Sequence, residues 1–116
     1  MAKLQGRKIF STFRPLAAFL SSLAMSKPFA LSVLDQSPIP AGGTSTDALH
    51  NSIDLARLAD RLGYTRYWLA EHHASPALAG VAPEALIGPI ALASDRIRVG
   101  SGGIMLPHYS PLKIAE

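Results

Sequence analysis

Three short clusters hold the residues of this 116-residue chain whose types could do chemistry. The first, Glu71-His72-His73, sets two imidazoles beside a carboxylate. An imidazole titrates near neutrality, so it can act as a general base or donate a hydrogen bond to an anionic intermediate. Metal binding is the rival use. Adjacent strand residues point to opposite faces, so His72 and His73 are poorly placed to share one ion, and no helical His-x-x-x-His spacing occurs. No metal site is expected. The plain alternative has one histidine capping a strand while the other meets solvent. The second cluster, Ser101-Gly102-Gly103, is either a tight turn or a place where missing side chains let backbone approach a flat ligand. It is not a phosphate loop of the Gly-x-Gly-x-x-Gly type. The third, Asp35-Gln36-Ser37 ahead of Pro38, has the composition of a turn. His50 reads as a surface residue, and His108 could face the same site as the other two histidines.

The elements that must position these clusters follow from the hydrophobic pattern. Phe29 to Leu34 is a short apolar run that reads as a buried strand. Its loop continues through Pro40 and Gly42-Gly43 to Thr44, Ser45, Thr46 and Asp47, several of them good helix N-caps. A helix then runs to about Leu62, with Leu49, Ile53, Ala56, Ala59 and Leu62 on one face and Asp54, Arg57, Asp60 and Arg61 mostly off it. Gly63 suits the residue just past a helix end. Tyr64 to Ala70 is aromatic-rich and reads as a second strand. Pro83-Glu84 opens a second helix whose buried side is Ala85, Leu86, Ile90 and Ala93, with a kink expected at Pro89. Ile97 to Ser101 forms a third strand, and Ser110-Pro111 starts a further helix. Strands alternating with helices predict an α/β fold with a parallel sheet. In such folds ligands bind at the C-terminal ends of the strands, which is where all three clusters fall. Three strands and two helices cannot cover both faces of a sheet, so the pattern is expected to be a larger fold truncated before closure.

Composition narrows the function further. No apolar run approaches the ~20 residues of a membrane span, so no membrane association is expected. The chain lacks cysteine, which excludes disulfides and thiolate metal sites and fits a reducing, cytoplasmic compartment. Its net charge of +3 is unevenly spread. Residues 1–28 hold Lys3, Arg7, Lys8, Arg14 and Lys27 with no acid, whereas residues 29–116 carry six basic and eight acidic residues. The body therefore offers no basic stripe for a nucleic acid. Residues 1–28 form a basic leader expected to lie outside the fold. A secretory signal, a transit peptide and a start codon set too far upstream are its three readings, and Met25 directly before the first strand-like run favours the last.

Two longer stretches carry a recognisable pattern. The run from Asp54 to His73, with Leu62-Gly63-Tyr64 and Trp68-Leu69-Ala70-Glu71-His72-His73, resembles the first-helix to second-strand segment of luciferase-like monooxygenases. The run from Arg98 to Glu116, with Gly100-Ser101-Gly102-Gly103 and Leu106-Pro107-His108-Tyr109-Ser110-Pro111, resembles that family's third strand and the opening of its third helix. The likeness extends over residues 29–116 and is strongest to single-chain bacterial members similar to alkanal monooxygenase. It implies the N-terminal part of a (β/α)8 TIM barrel that binds reduced flavin, FMN, at its C-terminal face. The implied reaction adds oxygen to the flavin at C4a and passes one atom to an organic substrate. His72 matches the family's catalytic histidine, with His73 beside it. Ser101, Gly102 and Gly103 match a flavin-contacting bulge that often holds a non-proline cis peptide, a bond that costs ~3 kcal/mol. Asp35 and Gln36 match the strand end that helps line the pocket.

The resemblance implies a small-molecule substrate, O2 and a flavin reductase supplying FMNH2 as partners, and leaves a homo-oligomer open. Two other functions compete with it. One is a noncatalytic remnant, because barrels usually need at least ~200 residues and the family's flavin-phosphate site comes mainly from later strands. On that ground this chain alone is expected neither to bind flavin tightly nor to turn over. The other is a relative using the deazaflavin coenzyme F420 for hydride transfer.

Overall fold

A computed structural model describes residues 29–116, and the expected basic leader lies outside the described residues. The order is β1 (Ser32–Asp35), α1 (Ser45–Arg61), β2 (Arg66–Leu69), α2 (Pro83–Ala93), β3 (Arg98–Ser101), a 3-10 turn (Leu106–His108) and α3 (Pro111–Ala115). The strands form one parallel sheet in the order β1-β2-β3. Its register aligns Val33 with Tyr67 and Val99, Leu34 with Trp68 and Gly100, and Asp35 with Leu69 and Ser101. The C-terminal ends of all three strands therefore lie side by side.

The first helix begins and ends where local chemistry dictates. Thr44 caps α1 in a full capping box: its side chain accepts from the Asp47 N–H, and the Asp47 carboxylate takes the Thr44 N–H at 2.7 Å. The turn out of α1 passes through Gly63 at φ +82°, a left-handed conformation that glycine adopts without a Cβ penalty. Pro83 occupies the first turn of α2, which runs on through Pro89 to Ala93. The described helices include none long and apolar enough to cross a membrane.

The core lies between the helices and one face of the sheet. Ala56, Ala59, Tyr67, Leu69, Ile90 and Ile97 form it, with Val33, Ile53, Leu86, Ile87 and Val99 packed against it. Both helices thus cover the Val33–Tyr67–Val99 face. The opposite face carries Leu34, which is 60% exposed, and Trp68. Helices on one side and open apolar residues on the other are the arrangement of a barrel wall, whose inner face meets further strands.

The helix faces differ from the sequence reading. On α1 the small residues Ala48, Ser52, Ala56 and Ala59 are buried, while Leu62 is 66% exposed. Small side chains let the helix axis approach the sheet closely, and this outweighs the larger transfer energy of leucine. Asp60, expected off the buried face, is buried because its carboxylate accepts the N–H groups of Asp95, Arg96 and Ile97 at the start of β3. Those hydrogen bonds to the charged form hold its carboxyl below the usual aspartate range, the bond from Asp95 most strongly. On α2 the buried side is Pro83, Leu86, Ile87 and Ile90, and Ala85 is exposed.

Candidate active site

At the end of β1 the chain turns sharply. Ser37 sits at φ +49° with its side chain buried and its Oγ 2.9 Å from Ser52 Oγ on α1. Asp35 stabilises the turn by accepting the Ser37 N–H at 2.7 Å and the Tyr67 hydroxyl at 2.8 Å. The same hydroxyl lies 3.0 Å from the Ser52 carbonyl. Burial, and then the neighbouring Asp35 carboxylate, keep the Tyr67 phenol protonated far above its ordinary range. Asp35 shares the helix-side parity of Val33 and is buried, 5% exposed. Gln36 is exposed.

The end of β2 is tied to both neighbours. Ala70 N–H continues the pairing to the Asp35 carbonyl at 2.9 Å, and His72 N–H donates to the Gly80 carbonyl at 2.8 Å. The Pro38–Leu78 bridge stitches the loops after β1 and β2 together. The Nε2 of His72 is buried without a hydrogen-bond partner among the described residues. A buried polar atom without a partner carries a desolvation cost, and in a native structure it needs an explanation such as a catalytic role.

His73 faces a different environment. Its Nε2 lies 2.7 Å from Glu71 Oε1, and its ring centroid lies 4.3 Å from that of His108. Glu71, the carboxylate of the same cluster, is buried. Its Oε2 accepts the Met105 N–H at 2.9 Å, and its Oε1 also accepts the Tyr109 hydroxyl at 3.1 Å. The Met105 N–H first, then His73, hold the Glu71 carboxyl below the usual glutamate value. Burial and the Glu71 charge push the Tyr109 phenol up to about 12. Tyr109 also reaches Glu84 at 3.2 Å, and Glu84 pairs with Lys113 at 3.1 Å. His73, implied as a flavin contact, is thus engaged with Glu71 and His108.

At the end of β3, Gly102 N–H bonds the Leu69 carbonyl at 2.7 Å. Ser101 Oγ donates to the Gly103 carbonyl and lies 3.3 Å from the Gly103 N–H. A Cβ on Gly102 would lie 2.9 Å from Leu34 Cδ1 and 3.3 Å from the Leu69 carbonyl oxygen, so a side chain there would crowd β1 and β2. A Cβ on Gly103 would meet nothing within 4 Å. All described peptide bonds are trans, those of the Ser101-Gly102-Gly103 bulge included. Gly100, from the same motif, is packed as closely. A Cβ there would lie 2.9 Å from the Trp68 ring. Leu34, Trp68, Ser101 and Gly102 together line a shallow hollow on the open face.

A second hollow, between Asp60, Tyr64, Arg96 and Arg98, lies at the opposite end of the strands and contains none of the histidines. Asp60 is committed there to backbone N–H groups, so it serves the fold.

Parallel strands backed by helices on one face, with polar clusters at their C-terminal ends, match the N-terminal part of a (β/α) barrel. The sequence pattern of the family described as luciferase-like monooxygenase matches residues 29–116, and the chain belongs to that family. A luciferase-like monooxygenase from Escherichia coli is 51% identical over 90 residues, covering 78% of this chain and 27% of that relative. The crystal structure of apo-MsnO8 is 58% identical with a TM-score of 0.71, covering 73% of this chain and 26% of that one. The oxygenating constituent of 3,6-diketocamphane monooxygenase from Pseudomonas putida, a type II Baeyer–Villiger monooxygenase in complex with FMN, shares the fold at 24% identity and a TM-score of 0.65, covering 73% of this chain and 23% of that one. The chain thus spans about a quarter of the length of these relatives.

Proposed function

We propose that residues 29–116 form one wall of a flavin-dependent monooxygenase site that uses reduced FMN and O2 on an organic substrate of the alkanal class. The observation that carries this reading is the buried, unpartnered Nε2 of His72 at the C-terminal end of β2. A structural histidine would have its ring nitrogens satisfied. Family membership supports the reaction class, and the open face supports the cofactor. Leu34 and Trp68 offer an apolar surface to a flat ring, and Gly103 leaves its backbone uncovered.

In this reading Leu34 and Trp68 bind and orient the ring system and exclude water beneath it. Reduced FMN, when bound, supplies the two electrons that let one atom of O2 enter the substrate while the other leaves as water. His72 takes or gives a proton at Nε2 as the oxygen is transferred. Ser101 holds the Gly102-Gly103 turn through its Oγ. A separate flavin reductase supplies FMNH2.

The test measures O2 consumption and carboxylic-acid formation by a full-length protein containing residues 29–116, with photoreduced FMN and decanal. His72→Ala is expected to lower turnover by at least about tenfold with FMN affinity preserved, as loss of a general acid–base group does. Unchanged turnover would remove His72 from the mechanism. Hydride transfer with coenzyme F420 and no O2 uptake would favour the deazaflavin reading instead.

A further inference from the structure

Glu71 stands between the two halves of this site, and its geometry is more specific than a surface ion pair. Its side chain is 1% exposed, and both carboxylate oxygens are engaged. The donors come from both sides. His73 belongs to the strand end that carries His72, whereas Met105 and Tyr109 belong to the segment that follows the Gly102-Gly103 turn. The last backbone bond between β2 and this segment is Gly102 N–H to the Leu69 carbonyl. Beyond it, the backbone bonds of His108 and Tyr109 go to Met105 and Leu106 within the segment itself. Among the described residues, the only hydrogen bonds returning Ile104 to Tyr109 to the end of β2 therefore end on Glu71.

We infer that Glu71 is a positioning residue of the oxygenation site: its carboxylate sets the spacing between the His72 strand end and the segment following Gly102-Gly103. This role rests on the monooxygenase reading. Three donors converge on two oxygens, a demand that an ionised carboxylate meets and a neutral side chain meets only in part. The carboxyl is held below its usual range by those donors, which fits a group that stays ionised through neutral pH. The tilted contact of His73 with His108 closes the same junction from the side.

Hydrogen exchange and steady-state kinetics on a full-length protein containing residues 29–116 test this together. In Glu71→Ala the amides from Ile104 to Tyr109 are expected to exchange about tenfold faster while those of β2 keep their protection. The kcat with reduced FMN and decanal should fall about tenfold to a hundredfold, as misplacement by about 1 Å does, with KM for decanal little changed. Glu71→Gln, which keeps one acceptor oxygen for the Met105 N–H, should recover both quantities toward wild type. Unchanged exchange overturns the inference, and so does faster exchange with kcat within about twofold of wild type. If Glu71→Ala loses protection in β2 as well, Tyr109→Phe decides, because it removes one donor and keeps the carboxylate. Faster exchange at 106–109 with lower kcat then supports the inference, and wild-type values for both overturn it. If wild-type protein shows no FMN-dependent O2 uptake, the enzyme reading fails, while the exchange comparison still reports whether Glu71 holds the segment.

Discussion

Replacing Tyr67 by phenylalanine isolates the contact on which the β1–β2 end of the sheet depends. The ring of Tyr67 is fully buried, and its hydroxyl lies 2.8 Å from Asp35 Oδ2 and 3.0 Å from the Ser52 carbonyl. Phenylalanine keeps the ring, so the core loses almost no apolar contact and gains only an oxygen-sized void. What it removes is a hydrogen bond to a charged acceptor, worth about 1.5–3 kcal/mol, and it leaves the buried Asp35 carboxylate with the Ser37 N–H as its remaining described donor. Relief of the buried hydroxyl's own desolvation offsets part of this, so the expected net loss is about 2 kcal/mol. Urea unfolding followed by the fluorescence of Trp68, the single tryptophan, measures it. With a slope of about 1 kcal/mol/M for a domain this small, the midpoint should fall by roughly 2 M. A loss below about 0.5 kcal/mol at unchanged slope would refute the reasoning, because Asp35 would then be satisfied without Tyr67. A double-mutant cycle with Asp35→Asn should show coupling of about 1 kcal/mol between the two positions.

Other outcomes follow from the same structure. Glu71 has a folded-state pKa below its ordinary value of 4.5, so the stability it contributes is present above that value and lost as pH falls through the lower folded one. The urea midpoint should therefore decline as pH falls below 4.5, and less steeply in Glu71→Gln; equal slopes would contradict the assignment. Gly100→Ala would set a Cβ 2.9 Å from the Trp68 ring, forcing that ring off β3. A loss of about 1 kcal/mol and a shifted Trp68 emission are expected, and unchanged emission would show that the ring accommodates the methyl.

Much of the fold was legible because it rests on local rules. Thr44 with Asp47 reads as a helix start, Gly63 as a helix exit and Ser110-Pro111 as another start, since each depends on a few consecutive residues. The clustering of Asp35, Glu71-His72-His73 and Ser101-Gly102-Gly103 at strand ends was legible for the same reason. The role of Asp60 was not: its partners Asp95, Arg96 and Ile97 lie 35 to 37 residues away, and no local signal links them. Glu71 was hidden in the same way, because Met105 and Tyr109 reach it only across the sheet.

The sequence by itself determined the order of strands and helices, the parallel class and the family, because hydrophobic period, caps and motif spacing are properties of neighbouring residues. It could not determine which side of each strand faces the helices. Val33 and Leu34 are both apolar, and Tyr67 and Trp68 are both aromatic, so alternation predicts two faces without ranking them. Packing against Ala56, Ala59 and Ile90 made that choice. It turned Asp35 toward the helices, left Leu34 and Trp68 open, and brought Glu71, His73 and His108 together while leaving His72 Nε2 unpartnered.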